Sequence, residues 1–400
     1  MIDTREELLD ALSEAAELEH GLLLQYLFAA YSLKKRRDEG LGPQQQEDVR
    51  RWEGAILLVA RQEMAHLGSV CNLLSAIGGS PRMGRPNFPQ PGQRYYPFDF
   101  RLQRFGDAAL YRFLCFELPK GEPPPPPPTT GMALVAEAAV VPDPLEFDRI
   151  GELYRQIRHG FQVVPERQLF IGPPFAQDTD QWSNRFVLHL VTNRATAERA
   201  IDAIVLEGEG APGRLEPSHY DRFLGIRKQL AAAGAAFRPA RPVVSDPRTR
   251  AHRDAPDGGT LLTDRRAVAM AELSNGIYLT VLLLLLQYYS FLGESPAQRA
   301  ALRLALRNLM SGAVRPVTEL LTELPATEDP AAGTAGPPFE LYADVRISTQ
   351  ADSRWILVLE HLQALAARAH ELAPDSPRLT MIGENLGWIA ANLQAARRAG

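Results

Sequence analysis

Cysteine is almost absent, with only Cys71 and Cys115 in 400 residues. Two such residues build neither a disulfide framework nor a zinc site. Cys71 falls on an apolar helical pattern and reads as a small core residue. An excess of one charge is lacking too: 43 basic against 48 acidic residues leave a net charge of −5. That balance gives no footprint for nucleic acid or for an acidic membrane surface, so neither is expected as a partner. The most apolar run, Ile277 to Leu286, is too short to span a bilayer and is broken by Gln287-Tyr-Tyr-Ser. The opening Met1-Ile-Asp-Thr-Arg-Glu-Glu has no apolar signal core. With cysteine so scarce, a reducing, cytoplasmic setting is expected. Finally, no long stretch alternates polar and apolar residues, so strands are not forecast and the chain reads as all-α.

What is present is helical periodicity. At this length two cores are expected rather than one. The first domain is placed at 1–236, a linker rich in Pro, Arg and Asp at 237–259, and a second helical domain at 260–400. Helix 1 is expected over 4–35, capped by Asp3 or Thr4, with Leu8, Leu12, Ala15, Leu18, Leu22, Tyr26, Ala29 and Leu33 at three- and four-residue steps. Helix 2 is expected over 45–77 and stopped by Gly78-Gly79. A short helix over 107–118 carries Tyr111, Phe113, Leu114 and Phe116, and six prolines follow at 123–128 as a polyproline II linker or an exposed loop. Helix 3 is expected over 144–164 with Phe147, Ile150, Leu153, Ile157 and Phe161 on one stripe, helix 4 over 194–207, and another over 218–233. Four more follow near 263–292, 296–324, 352–372 and 378–398.

The chemistry centres on Glu63-Met-Ala-His66 in helix 2. A carboxylate and an imidazole three residues apart share one helix face. A bundle helix offers two ligands to a metal pair in this way. A single tetrad is cheap: Glu17-x-x-His20 satisfies the same pattern. The weight lies in whether other helices complete the set. Glu19 lies near the seam of helix 1, Glu152 in the apolar stripe of helix 3, Glu207 at the end of helix 4, and His219 at the start of the next helix. The order is then Glu, Glu-x-x-His, Glu, Glu and, after a Gly- and Pro-containing loop, His. Glu152 could instead pair with Arg155 or Arg158, and Glu216 is the alternative carboxylate to Glu207, although Pro217 favours a helix start there. Burying so many carboxylates without a cation is costly, which makes the joint reading stronger than its parts.

Leu18-Glu-His through Tyr26-Leu-Phe-Ala-Ala-Tyr-Ser-Leu, and Gln62-Glu-Met-Ala-His-Leu through Asn72-Leu-Leu-Ser-Ala-Ile-Gly-Gly-Ser-Pro, resemble the ferritin-like family related to iminophenyl-pyruvate dimer synthase. Ile150-Gly-Glu-Leu-Tyr, Glu207-Gly-Glu-Gly and His219-Tyr-Asp-Arg-Phe extend the resemblance across roughly 12–226, and Thr334-Ala-Gly-Pro-Pro-Phe-Glu-Leu resembles a segment of the longer members. The resemblance implies a ferritin-like four-helix bundle with a second, C-terminal helical bundle. It supports Glu19, Glu63, His66, Glu152, Glu207 and His219 as metal ligands. Leu24-Gln25-Tyr26 departs from the family pattern, which carries a proline just before the tyrosine. It does not carry a reaction, because fold kinship does not fix chemistry.

The expectation is a non-haem di-iron oxidase or oxygenase with two Fe ions, manganese or a mixed pair being alternatives. Its partners would be O2 and a small, amino-acid-derived molecule of specialised metabolism. Imine coupling and a non-catalytic metal-binding scaffold are the competing readings. Tyr26 and Tyr154 either line the cavity or pack the core. The second bundle lacks any Glu-x-x-His and is expected to be metal-free, packing on the first, closing its pocket or mediating a homodimer. Glu272, Asn275 and Tyr278 share one face of its first helix and read as a satisfied polar cluster.

Overall fold

The computed structural model describes residues 2–92, 99–128, 150–179, 181–183, 186–208, 216–251, 259–374 and 376–399. The chain divides into two compact units, Met1–Ser80 with Pro89–Arg241, and Pro81–Phe88 with Pro242–Gly400. The first lies around the candidate donors; the second takes in a short segment from the first half of the chain, which nothing in the sequence forecasts. Helices dominate both. Two very short two-stranded ladders, Gln181–Ser183 with Phe186–Val187 and Pro247–Arg248 with Thr260–Leu261, are the described sheet.

In the first unit α1 spans Arg5–Ser32, α2 Pro43–Ala76, α3 Asp107–Phe116, α4 Ile150–Val163, α5 Arg194–Gly208 and α6 His219–Ala232. Thr4 caps α1: its hydroxyl accepts the Glu7 N–H at 3.2 Å while the Glu7 carboxylate accepts the Thr4 N–H at 3.0 Å. The far end of α1 stops at Ser32, three residues before the expected end, because the chain turns there into backbone pairing. The Lys34 N–H donates to Pro239 O and the Arg241 N–H to Ser32 O. Pro43 opens α2, and Gly78 closes it at φ +82°, with the Gly79 N–H donating to Leu74 O at 2.8 Å. The expected start of helix 3, with Phe147, lies outside the described residues.

Contacts between these helices close a ring: α1 on α2, α2 on α5, α5 on α4 and α4 on α1, with α3 and α6 packed together and α6 also on α2. That ring is a four-helix bundle. Its core includes Leu8, Leu12, Tyr26, Phe28, Ile56, Tyr154, Phe161 and Ile201. The C-terminal half of α1, Leu18 to Ser32, is buried on all sides, which is why its apolar residues show little one-sidedness.

The second unit closes a similar ring from α7 (Arg265–Ser290), α8 (Pro296–Leu309), α10 (Ala351–Glu371) and α11 (Pro377–Ala399), with α9 (Arg315–Leu321) beside α7. Helix α7 is long and apolar enough to cross a membrane by length and composition, and 67% of its apolar window is buried in the structure. The one helix expected over 296–324 is interrupted by a π-helical turn, Met310–Val314. Pro316 explains it: proline lacks an N–H and clashes with the carbonyl four residues earlier, and the wider turn relieves both. The expected cluster of Glu272, Asn275 and Tyr278 is not one network: Asn275 and Tyr278 have separate partners. Asn275 exchanges hydrogen bonds with Glu340, and Tyr278 accepts one from the Arg85 guanidinium at 3.2 Å.

Candidate metal centre

Helix geometry fixes the first donors. Glu19 sits at mid-α1, and Glu63 and His66 at mid-α2, all with at most 4% of their surface exposed. His66 Nδ1 lies 3.3 Å from Glu63 Oε2 and 3.4 Å from Glu19 Oε2, so the two helices converge on one imidazole. Its other nitrogen, Nε2, lies 3.2 Å from Oε2 of Glu207, the penultimate residue of α5. His219 is the first residue of α6, held there by Ser218, which caps the helix in a reciprocal box with Asp221. His219 Nδ1 comes within 2.9 Å of Glu63 Oε1, and its ring stacks on His66 with centroids 5.5 Å apart.

A donor absent from the sequence-based set completes the cluster. Glu117, just past the end of α3, lies 3.5 Å from His219 Nδ1 through Oε1. Its signal was one carboxylate inside the apolar run Phe113-Leu-Cys-Phe-Glu-Leu118. Glu152 is not brought in. It is half-exposed on α4, and its carboxylate accepts from Arg155 at 2.8 Å. Residues two apart on a helix point about 200° apart, and here Tyr154 faces the cluster, so Glu152 faces outward. Glu216 is exposed and stays out, and Glu17 and His20 join none of the donor groups among the described residues.

Three overlapping groups result: Glu19, Glu63 and His66; Glu63, Glu117 and His219; and His66, Glu207 and His219, each with donor atoms within 4.8 Å of one another. Two tyrosines brace the carboxylates. Tyr26 Oη donates to Glu117 Oε1 at 2.6 Å, and Tyr154 Oη donates to Glu19 Oε1. Burial first, and then those same carboxylates, push both phenols well above their usual pKa, so they remain protonated donors.

The electrostatics show a demand for positive charge. Burial and the charge of Glu63 push Glu19 up to about 8. Burial would raise Glu63 as well, but His219 and His66 outweigh it and hold Glu63 well below the usual carboxylate range. Both imidazoles are driven the other way. Burial disfavours their charged forms, yet Glu63 raises His66 well above its ordinary value, and Glu117 with Glu63 brings His219 to about 9.

The donor set fits a metal pair. Four carboxylates and two imidazoles are the complement of a carboxylate-bridged two-metal site, and four negative charges balance two divalent ions. Neither ring nitrogen of His219 makes a hydrogen bond, although Nδ1 is close to Glu63, so proximity without hydrogen-bond alignment fits two ligands converging on a shared ion. Glu19, Glu63, His66, Glu117 and Tyr154 also line a cavity of about 30 Å³, room for ions rather than for an organic molecule.

The chain belongs to the ferritin-like family: the family model described as Ferritin-like matches residues 12–228. Two curated relatives show where in that family its similarity lies. Dichlorochromopyrrolate synthase of Lentzea aerocolonigenes is 28% identical over 443 aligned positions, covering 97% of this chain and 41% of that protein. The 2-imino-3-(indol-3-yl)propanoate dimerase of Chromobacterium violaceum is 28% identical over 378 positions, covering 86% of this chain and 35% of that protein. The chain thus spans about two fifths or less of the length of these relatives. A solved ferritin-like protein from Caulobacter vibrioides is 20% identical, with a TM-score of 0.48 over 76% of this chain and 93% of that one.

Proposed function

We propose that the chain holds two iron ions and acts as a non-haem oxidase on a small, amino-acid-derived molecule of specialised metabolism, with O2 as oxidant. The observation that carries the proposal is the buried convergence of Glu19, Glu63, Glu117, Glu207, His66 and His219. Glu63 approaches both imidazoles, and it would hold the ions together with the other carboxylates and the two histidines. When bound, such a metal pair supplies Lewis acidity and redox equivalents for oxygen chemistry. The protein's own part is to fix the donors. The Tyr154 and Tyr26 hydroxyls orient Glu19 and Glu117, and hydrogen bonds of this kind to ligating groups tune the ion they hold. The apolar walls of Leu22, Phe116 and Ile204 limit water at the site. Manganese or a mixed pair suits the same donors.

Coupling of two imine molecules is the second reading, favoured by the name of the Chromobacterium relative, a 2-imino-3-(indol-3-yl)propanoate dimerase. Metal analysis of protein purified without chelator tests both readings at once. About two equivalents of iron are expected, lost together in Glu63→Ala and His66→Ala. A folded, metal-free wild type overturns the proposal. Oxygen consumption by the ferrous protein then separates an oxidase from a scaffold.

A further inference from the structure

The donor cluster is hard to reach from water. Five of its six side chains are at most 8% exposed, whereas that of Glu207 is 27% exposed. The cavity of about 30 Å³ beside it has no room for an ion with its full water shell. An ion must shed water before it enters, and protein ligands must replace that water on the way. A second cavity of the first unit, about 290 Å³, has the room. Its lining includes Glu207, and His66 and Ile204 line both cavities. His66 faces both ways: its Nδ1 lies against Glu63 and Glu19, and its Nε2 lies 3.2 Å from Glu207.

Donors for a cation continue outward from there. Glu216 is exposed in the wall of the larger cavity. His189 lines it too, held in place by Asn72, whose Nδ2 donates to the His189 carbonyl at 3.1 Å. Gln62, one helical turn before His66 on α2, is 8% exposed, and its Oε1 is a buried acceptor with no hydrogen-bond partner. Such acceptors are rare in folded proteins. A passing ion, or the water around one, would satisfy it. Arg222 also lines the cavity and has an interaction of its own within the protein. Against its one positive charge stand the carboxylates of Glu207 and Glu216, a balance that attracts a cation.

We propose that the larger cavity is the entry route for divalent metal ions. Glu216 and His189 meet the hydrated ion at the outer wall. Glu207, the most exposed donor of the cluster, takes it over as water is lost, with His66 leading on to the inner carboxylates. This assignment rests on the metal reading proposed above and deepens it.

Stopped-flow loading of the chelator-stripped full chain with cobalt(II), followed by its visible absorption, and release into excess EDTA test the route. Ala203 lines the cavity and is no donor. Ala203→Trp should slow loading by about tenfold or more, because an ion must then wait for a packed wall to open. Release should slow by the same factor and the affinity stay within about twofold, since a raised barrier acts on both directions equally. Leu58→Trp, from α2, is a second plug should the first melt below the wild type. Glu216→Gln should slow loading about two- to fivefold at low ionic strength and much less at about 0.5 M salt. Folded plugs that load and release at the wild-type rate, plugs that slow loading only by weakening affinity, or an unchanged low-salt rate in Glu216→Gln overturn the route and leave the metal centre standing. A wild type that takes up no cobalt overturns the proposed function and the route together.

Discussion

Glu117→Gln and Glu152→Gln form a decisive pair. Both exchange a carboxylate for an amide of the same shape. Only Glu117 lies in the donor cluster, 3.5 Å from His219 and bonded to Tyr26, whereas Glu152 lies at the surface with Arg155. Perturbing groups that merely support metal ligands costs about 10–100-fold in metal affinity, so removing a ligand charge should cost about 100-fold or more. That loss converts into stability by linkage. With free metal at about 1,000 times the wild-type Kd, binding adds about 4.1 kcal/mol; a 100-fold weaker site keeps about 1.4, a loss of about 2.7 kcal/mol. For a folding unit of this size the melting temperature should then fall by about 5–11 °C in the presence of metal. Without metal the sign changes, because Glu117→Gln removes one of several crowded buried anions, and its melting point should match or exceed that of the wild type. Thermal melts with and without ferrous ion, together with metal analysis, read all of these effects. Glu152→Gln should alter neither metal content nor the metal-dependent rise. If Glu117→Gln keeps the full rise, or Glu152→Gln loses it, the assignment of the fourth carboxylate is wrong.

Three other outcomes follow from the same geometry. Tyr154→Phe deletes the hydroxyl donating to Glu19 and should weaken metal binding about 10–100-fold while the ring keeps its packing; competition against a chelator of known affinity would measure it, and an unchanged affinity would dismiss the brace. Arg241 holds Glu39 down to about 2, so that pair adds stability above the unfolded carboxylate's range near 4.5 and loses it as pH falls through about 2. With solvent screening the gap between wild type and Glu39→Gln should be about 1 kcal/mol or less at pH 6 and should close near pH 2 in urea titrations; a gap that widens in acid would contradict the sign. In the second unit, Glu340 Oε2 accepts from the Thr249 N–H and hydroxyl and from Asn275, so Glu340→Ala should cost about 2–3 kcal/mol by chemical denaturation and leave metal content untouched.

Much of the fold was legible because helices repeat. The stripes of α1 and α2 and the caps at Thr4, Ser218 and Gly78 sit where short-range rules put them. Long-range facts were not. The second unit's capture of Pro81–Phe88 depends on Arg85 donating to Phe339 O and to Tyr278 Oη, partners far along the chain. The π turn at Met310–Val314 needed Pro316 to be read as an adjustment within a helix rather than as a harmless residue.

The donors divide along the same line. Glu19, Glu63 and His66 sit inside long helices, where the 3.6-residue period states which face each side chain takes. Glu117, Glu207 and His219 sit at helix ends, one just past α3, one at the last turn of α5 and one opening α6. A helix end has no period to read, so only chemical context marks it. For His219 that context was Pro217, which favours a helix start there; for Glu117 it was an isolated charge in an apolar run. Glu152 is the converse case. It sits inside a helix near an apolar stripe, but Tyr154 takes the inward face, and no residue two positions away can share it. Periodicity therefore demands that a helix-interior donor share the face of the side chains that point into the site. The second half-site, built largely from helix ends, is defined by convergence in space and not by any spacing in the sequence.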